Sequence, residues 1–144
     1  MQLAIDAGNS SIKYGLFEKN KLLINGRIPL GGSLKSKIDK KDFEKIKTII
    51  SCSVLDNLKI SDLPQGNHIK INKDSIFPFP INYESPDTLG IDRIVACAGV
   101  YSNDSDILVI DAGSCITYDY VKYNKGYRGG AISPGIEMRF RSMS

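Results

Sequence analysis

One short segment of this chain occurs twice, 105 residues apart. Leu3–Gly8 reads LAIDAG and Leu108–Gly113 reads LVIDAG, so five of the six positions are identical. In both copies hydroxyl side chains and then a strand pattern follow, and at the same spacing the turn at Lys19–Asn20 falls on Asn124–Lys125. A single apolar run ending in Asp-x-Gly is common, whereas two copies followed by the same hairpin indicate a duplicated structural unit.

The chemistry of the repeated turn suits a phosphate group. Gly8 and Gly113 lack a Cβ, which lets backbone N–H groups approach a ligand and allows a positive φ. Short polar side chains beside them can donate to phosphate oxygens: Asn9, Ser10, Ser11 and Ser114. Because carboxylates repel phosphates, Asp6 and Asp111 are expected to hold a cation, or water on a cation, that neutralises the phosphate charge. Lys13 either reaches a phosphate as a point charge or is an ordinary exposed strand lysine.

The pattern along the rest of the chain predicts strands alternating with helices, and therefore an α/β fold. The predicted strands are Leu3–Ile5, Ile12–Phe17, Leu22–Ile28, Thr48–Val54, Ile107–Ile110 and two more after Asp111, the second of which ends at Ile132. The predicted helices are Asp42–Ile46, one that begins at Leu89, and the start of another at Ile136. A further helix and strand are expected within Asp56–Ile71, and Tyr83–Thr88 is expected to be a loop.

Composition narrows the classes of function. The net charge of +3 is too weak and too scattered to indicate a nucleic-acid or membrane surface, and no apolar run approaches the ~20 residues of a membrane span. Asp6 interrupts any signal peptide, and three widely spaced cysteines suit neither a disulfide framework nor a C-x-x-C site. A single histidine, His68, argues against Ser-His-Asp chemistry and multi-histidine metal sites. We therefore expect a cytoplasmic protein with free thiols, in which carboxylates do the proton and metal chemistry.

A second constellation lies between the two copies, at Pro86–Arg93. The predicted helix places Asp92 and Arg93 in its first turn, and Gly90 leaves room for close approach. An acidic residue at a helix N-terminus is often only a cap, and Arg93 would then be a surface charge. Phosphoryl transfer to a hydroxyl, in contrast, needs a carboxylate within hydrogen-bond reach of that hydroxyl and gains from a fork-shaped cation that binds an acidic substrate. Asp92 and Arg93 side by side can supply both.

Together these segments resemble a known family. The duplicated hairpins are similar to the phosphate-binding hairpins of the acetate and sugar kinase, heat-shock chaperone and actin superfamily, in which two similar domains clamp ATP. Four segments, in order, resemble the motif set of type III pantothenate kinase, which phosphorylates pantothenate with ATP in the first committed step toward coenzyme A. They are Asp6–Ser10, Pro86–Arg93 with its P-x-x-x-G-x-D-R pattern, Asp111–Ser114 and Gly129–Gly135. Ser10 and Ser114 replace the usual threonines and keep the hydroxyl.

The resemblance implies roles for individual residues. It implies that ATP, with its Mg²⁺, is bound by Asp6, Ala7, Gly8, Asn9, Ser10, Ser11, Ile12, Lys13 and Ser114. It implies that Asp92 accepts the proton of the pantothenate hydroxyl and that Arg93 meets the carboxylate. The pantothenate site would be lined by Tyr83, Gly90, Ile91, Asp92 and Arg93, and Asp111 would bind a monovalent cation, potassium or ammonium. Gly129–Gly130 and Pro134–Gly135 would shape the turn before the last helix, a role that simple loop punctuation would also explain.

The resemblance also implies a fold, a duplicated actin-like (ribonuclease H-like) α/β domain. We expect residues 1–105 to form a complete first domain and residues 106–144 to begin a second. Family members are considerably longer than this chain, so we interpret it as a truncated product or fragment. We therefore expect its second sheet to expose an apolar face, and we expect the chain alone to be inactive or nearly so.

Two other functions remain open from the sequence. A nucleotide-binding regulatory protein of the same family, of the transcriptional accessory type, would need no acid beside Arg93. Another kinase or phosphatase of the superfamily would use the same hairpins but would lack the P-x-x-x-G-x-D-R segment. The family suggests a homodimer whose acceptor site draws on both subunits, although the residues themselves give no signal for oligomerisation.

Overall fold

The computed structural model describes residues 1–55 and 60–143. Contacts within the chain divide it into two compact units, Met1–Asp74 and Ser75–Ser144, and each unit contains one sheet. This division groups the segment around Pro86–Arg93 with the second sheet. The domain boundary expected between residues 105 and 106 divides the chain differently and stays a prediction.

The first unit contains a five-stranded sheet. Its strands are β1 (Gln2–Ala7), β2 (Ile12–Glu18), β3 (Lys21–Ile28), β4 (Thr48–Ser53) and β5 (Asn67–Lys70). They lie in the order β3-β2-β1-β4-β5, and β2 is antiparallel to its neighbours while β1, β4 and β5 run parallel. This order, with the second strand antiparallel to the other four, is that of the actin-like (ribonuclease H-like) domain. The predicted fold class is therefore confirmed.

Alternating apolar side chains explain why this sheet forms. The alternate residues Leu3, Ile5 and Ala7 of β1 are buried, because successive side chains of a strand point to opposite faces. They join one apolar core with side chains from the segment between β3 and β4, namely Leu34, Ile38, Phe43 and Ile46. The sheet and this segment together bury the core of the first unit.

The helix before β4 is shorter and earlier than predicted. α1 covers Lys40–Phe43, whereas the sequence predicted Asp42–Ile46. Beyond Phe43 the backbone N–H groups of Lys45 and Ile46 bond to carbonyl groups three residues back, which is 3₁₀ geometry. The apolar residues of the predicted helix, Phe43 and Ile46, still reach the core, although the α-helix ends at Phe43.

After β4, a helix and a strand were predicted within Asp56–Ile71. The strand is confirmed as β5, and the part of the predicted helix at residues 56–59 lies outside the described residues. His68 lies on β5, and its Nε2 is 2.8 Å from the hydroxyl oxygen of buried Ser51 on β4. Burial, together with the nearby charge of Lys70, lowers the pKa of His68.

A carboxylate fixes the loop that follows β3. Asp62 accepts hydrogen bonds from the Ser33 hydroxyl at 2.6 Å and from the backbone N–H groups of Leu34 and Lys35, each at 2.8 Å. Burial by itself raises the pKa of Asp62, but the hydrogen bonds outweigh it and hold this pKa below its ordinary value. Asp62 thereby ties two stretches of irregular backbone together.

The second unit contains a three-stranded antiparallel sheet. Its strands are β6 (Ile107–Ala112), β7 (Cys115–Lys122) and β8 (Gly126–Pro134), in that order. α2 (Ile91–Val100) packs on β6 and β7 and buries Ile91, Ile94 and Cys97. α3 (Ile136–Arg141) follows β8 where the sequence predicted a helix to start. A 3₁₀ helix at Pro86–Thr88 forms part of the segment predicted to be a loop.

One face of the second sheet exposes apolar side chains. Leu108 and Ile110 share one side of β6 and are 61% and 57% exposed. α3 buries none of its side chains, and its Ile136 and Phe140 are exposed as well. The exposed apolar face that was expected for this sheet is present.

The duplicated hairpin is confirmed, and its turns have matching backbone conformations. Lys19 and Asn124, 105 residues apart, both have φ = 54°, the left-handed conformation that β-hairpin turns require. The turn between β2 and β3 is closed by the pair Glu18–Lys21, whereas that between β7 and β8 is closed by Lys122–Gly126 and is one residue longer. The two copies therefore share a hairpin but differ in turn length.

We predict that Asp62→Ala lowers the free energy of unfolding by about 1–3 kcal/mol, because two backbone N–H groups and a hydroxyl lose a charged acceptor. Since the folded-state pKa of Asp62 is lowered, its contribution is complete above the ordinary value of 3.8 and is lost as the pH falls through the folded-state pKa. Urea denaturation between pH 3 and pH 7 measures both effects.

The matched control is Asp39→Ala, because Asp39 makes no side-chain hydrogen bond to the helix that it precedes. This substitution should change the stability by less than about 0.5 kcal/mol. Equal losses in the two variants would contradict the role given to Asp62.

Candidate functional site

The first repeated loop joins β1 to β2 and is closed by its own backbone. The N–H of Gly8 donates to the carbonyl oxygen of Ser11 at 3.1 Å. Asp6 and Lys13 face each other across the β1–β2 ladder, and their charged atoms are 3.7 Å apart. Both side chains are about two-fifths exposed, so this ion pair contributes little and opens at little cost when another charged group arrives. The thiol of Cys52 also lies 3.6 Å from Asp6 Oδ1.

The second repeated loop, between β6 and β7, is one residue shorter. The N–H of Gly113 donates to the carbonyl oxygen of Cys115 at 2.9 Å. Gly135 supports the loop from behind, because its N–H donates to the carbonyl oxygen of Ser114 at 3.1 Å and a Cβ on it would lie 2.3 Å from that oxygen. Asp111 and Ser114 are exposed. Across the ladder Asp111 faces Thr117, where the first copy has a lysine.

Backbone conformation does not require the glycines of the two loops. Glycine allows a positive φ at Gly8 and Gly113, but neither uses it: the glycines with positive φ in the described residues are Gly31, Gly126 and Gly129. A Cβ on Gly8 or Gly113 would lie no closer than 3.7 Å to any atom outside its neighbours. Neither conformation nor packing explains these two glycines. Both glycines leave space beside the backbone.

The acceptor segment brings Asp92 to the first turn of α2. Asp92 is half-buried, and its Oδ1 accepts the backbone N–H of Arg93 at 3.0 Å. A Cβ on Gly90 would lie 2.5 Å from the same oxygen, so a glycine is needed for the carboxylate to occupy this position. Ile91 is buried under the helix. Gly90 and Asp92, both predicted for one site, thus lie close together.

Arg93 is buried and ion-paired, not a surface charge. Its Nε donates to Asp119 Oδ1 at 2.8 Å, and its Nη2 lies 2.7 Å from the same oxygen. The hydroxyl of Tyr127 also donates to this oxygen, at 2.6 Å. Burial by itself lowers the pKa of Arg93, but the hydrogen bond and charge of Asp119 outweigh it and raise this pKa. The guanidinium therefore stays charged and is held in one orientation.

The tyrosine hydroxyl and the cysteine thiol beside this ion pair stay protonated. Burial and the hydrogen bond to Asp119 raise the pKa of Tyr127, so its hydroxyl remains a donor. Burial and the charge of Asp119 raise the pKa of the Cys97 thiol to about 12. Tyr127 and Cys97 are therefore neutral neighbours of the ion pair.

Two glycines of β8 make room for the cluster. A Cβ on Gly130 would lie 1.7 Å from the carbonyl oxygen of Tyr118 and 3.0 Å from Arg93 Nη2. Gly129 has φ = 104°, and a Cβ on it would lie 3.0 Å from the ring of Tyr83. The prediction that Gly129–Gly130 shape a turn was wrong, because both lie within β8, whereas Pro134–Gly135 do lead into α3.

Tyr83 reaches this cluster because its segment pairs with β8. Ile81 bridges to Tyr127, and the backbone of Tyr127 exchanges hydrogen bonds with Pro80 and Asn82 at 2.9 and 3.0 Å. The ring of Tyr83 then meets that of Tyr127 edge-on, with centroids 6.0 Å apart. Tyr83 and Arg93, both predicted for one site, are thus gathered around Asp119 and Tyr127.

Asp119 and Tyr127 were missed from the sequence. A signal was present: Thr117, Asp119 and Val121 alternate onto one face of β7, so a carboxylate stands where an inward-facing residue belongs. A buried carboxylate requires a cationic partner, and Arg93 occupies an inward position of the helical pattern of α2. The pairing of the two follows only once the helix and the strand are placed together.

The part of the chain that the structure describes contains neither a candidate metal-ion cluster nor a candidate membrane-spanning helix. No cluster of three or more His, Cys, Asp or Glu side chains there is arranged to hold a metal ion. No helix within residues 1–55 and 60–143 is long and apolar enough to cross a membrane.

Comparison with known proteins decides the family. A family model described as type III pantothenate kinase matches residues 2–144. This chain belongs to the type III pantothenate kinase family. A type III pantothenate kinase from Flavobacterium johnsoniae is 34% identical over 154 residues, covering 99% of this chain and 61% of that protein. One from Flavobacterium psychrophilum is 38% identical over 150 residues, covering 99% and 62%.

The chain spans less than two thirds of the length of these type III pantothenate kinases. Among solved structures, it is similar to a putative 2-dehydro-3-deoxygalactonokinase from Sinorhizobium meliloti. That similarity has a TM-score of 0.47 at 12% sequence identity and covers 92% of this chain and 53% of the other.

We predict that Gly8→Ala and Gly113→Ala leave the stability unchanged or raise it by up to about 1 kcal/mol, because alanine fits both positions and restricts the unfolded chain. Gly130→Ala should instead destabilise the protein strongly, since its Cβ would overlap a carbonyl oxygen. Thermal denaturation of the three variants measures this. A large loss of stability in Gly8→Ala or Gly113→Ala would show that these glycines are structural.

Proposed function

We propose that this chain carries the acceptor and phosphate-binding machinery for ATP-dependent phosphorylation of pantothenate, giving 4′-phosphopantothenate. Membership of the type III pantothenate kinase family supports the reaction. The observation that carries the proposal is the pairing of a half-buried carboxylate, Asp92, with the adjacent fixed guanidinium of Arg93 at the start of α2. A module that only binds nucleotide has no need of this pair.

In the proposed reaction Asp92 is the general base. The pantothenate hydroxyl oxygen attacks the γ-phosphorus of ATP, its proton passes to the Asp92 carboxylate, and ADP leaves. Asp92 Oδ1 is engaged by a backbone N–H, so we assign the proton to Oδ2. The hydrogen bond to Oδ1 fixes the direction in which Oδ2 points, which is what proton transfer from a positioned hydroxyl requires.

Arg93 binds the pantothenate carboxylate in this proposal, and Tyr83 and Gly90 line the same site. The support is geometric: Nη2 of Arg93 is buried and, among the described residues, has no aligned hydrogen-bond acceptor. A buried donor without an acceptor is costly, and a ligand carboxylate would remove that cost.

Each repeated loop by itself offers features that a phosphate group needs. In the first unit these are the backbone and side chains of Asp6–Lys13, and in the second unit Ser114. Space beside Gly8 and Gly113 supports this assignment. Mg²⁺ accompanies ATP and neutralises phosphate charge, and an acidic residue beside each loop fits that need.

We assign the monovalent cation, potassium or ammonium, to Asp111. The carboxylate is exposed at the end of β6 and faces a threonine across the ladder, where Asp6 faces a lysine. The homodimer that the family suggests stays a prediction.

We predict that Asp92→Asn lowers the turnover number by about 10²–10⁴-fold, because asparagine cannot accept the hydroxyl proton. The measurement is a coupled ADP-release assay with ATP, Mg²⁺, potassium and pantothenate. Asp87→Asn is the matched control, since Asp87 is an exposed carboxylate in the same segment. It should leave turnover within about twofold.

The assay is run on this chain and on a chimaera that adds the remaining length of the Flavobacterium psychrophilum relative. Turnover that requires pantothenate and disappears in Asp92→Asn supports the proposal, in either protein. Turnover that survives the substitution removes Asp92 as the base. A folded chimaera that binds ATP without phosphorylating pantothenate would favour the regulatory nucleotide-binding alternative.

A further inference from the structure

The carboxylate of Asp119 is the most deeply buried charge described in the second unit. It is 1% exposed and lies on β7, and its Oδ1 receives the Nε–H of Arg93 and the hydroxyl of Tyr127. Nη2 of Arg93 lies 2.7 Å from the same oxygen. One carboxylate oxygen thus accepts two hydrogen bonds, from a helix and from a neighbouring strand, and makes an ion-pair contact with Nη2.

We propose that Asp119 is a positioning residue that fixes the Arg93 guanidinium before an acidic ligand arrives. Through Oδ1 it accepts the Nε–H and lies 2.7 Å from Nη2, whose own donors have no aligned acceptor among the described residues. This inference rests on the proposed function, in which Arg93 meets the carboxylate of pantothenate.

Geometry and electrostatics give opposite signs for the effect of Asp119, which makes the inference testable. The negative charge of Asp119 neutralises Arg93 and, at this distance, weakens the attraction of Arg93 for a second carboxylate. If charge alone mattered, removing the charge of Asp119 would strengthen binding of an acidic ligand. If orientation matters, removing it releases the guanidinium, and binding weakens because the ligand must order the side chain itself.

Tyr127 has a supporting part. Its hydroxyl donates to Asp119 Oδ1 at 2.6 Å and remains protonated, so it holds that oxygen in place. The ring also meets Tyr83, which fixes the wall of the site. Tyr127→Phe removes the donor and keeps the ring, and the effect on Arg93 should be in the same direction as that of Asp119→Asn but smaller.

The test follows the Nε–H signal of Arg93 by NMR in the full chain, with pantothenate as the titrated ligand. In the wild type the signal should be slow to exchange with water and should shift when pantothenate is added. Asp119→Asn should speed its exchange by about tenfold or more and weaken pantothenate binding by about 10–100-fold. Wherever turnover is measurable, the KM for pantothenate should rise more than kcat falls, and the KM for ATP should stay unchanged.

Asp106→Asn is the matched control. Asp106 lies at the start of the same sheet and also accepts a tyrosine hydroxyl, from Tyr120, and a backbone N–H, from Tyr123 at 2.8 Å, but it is exposed and has no arginine partner. Its substitution should leave both the Arg93 signal and pantothenate binding unchanged. An effect common to any carboxylate at this sheet would appear in both variants, and circular dichroism of Asp119→Asn detects the larger structural cost of breaking a buried pair.

Each outcome decides one claim. Pantothenate binding that is equal or tighter in Asp119→Asn overturns the positioning role. If pantothenate leaves the wild-type Arg93 signal unshifted, the proposed function fails, and the positioning role is then judged by exchange alone: loss of protection in Asp119→Asn supports it, and unchanged protection overturns it. If circular dichroism finds Asp119→Asn unfolded, the same comparisons are made with Tyr127→Phe, where unchanged exchange and binding would overturn the inference.

Discussion

A buried charge must be paired, and in the second unit Arg93 and Asp119 meet that requirement for each other. The pair joins α2 to β7 and, together with the buried apolar side chains Ile91, Ile94 and Cys97, fixes the rotation of the helix about its axis. The same rotation sets the direction in which the side chain of Asp92, the preceding residue, points. A glycine is required at position 130 chiefly because a Cβ would overlap the carbonyl oxygen of Tyr118, and the guanidinium of Arg93 also lies close to that position. Breaking one partner leaves the other charge buried alone, which costs far more than the loss of a surface pair.

The duplicated hairpin shows how one backbone serves two electrostatic environments. Both copies place an aspartate at the end of the first strand and a glycine two residues later. The residue across the ladder is a lysine in the first copy and a threonine in the second. The cationic side chain of Lys13 in the first copy is thus replaced by an uncharged threonine, Thr117, in the second. Changes of one residue in loop and turn length accompany this difference and leave the ladder intact.

Sequence reasoning predicted the features that depend on local patterns. The strands of the repeat, the helix at Ile91–Val100 and the hairpin turns follow from apolar alternation and turn chemistry, which act over a few residues. It failed where a contact between distant segments decides the outcome. Gly130 and Arg93 are 37 positions apart in the sequence, and local patterns do not show that they lie close together in the fold. Gly129–Gly130 were therefore predicted to shape a turn, although they lie within β8. For the same reason Arg93 could be read as a surface charge until its partner on β7 was known.

The exposed apolar residues of β6 have a consequence for work in solution. β6 is an edge strand, so one row of its backbone N–H and C=O groups has no neighbouring strand within the sheet, and Leu108 and Ile110 stand beside that row. Such an edge can accept a strand from another molecule and extend the sheet. Particle sizes above that of one chain therefore need a dilution series before they are interpreted as a functional dimer, because edge-to-edge association grows with concentration and has no fixed stoichiometry.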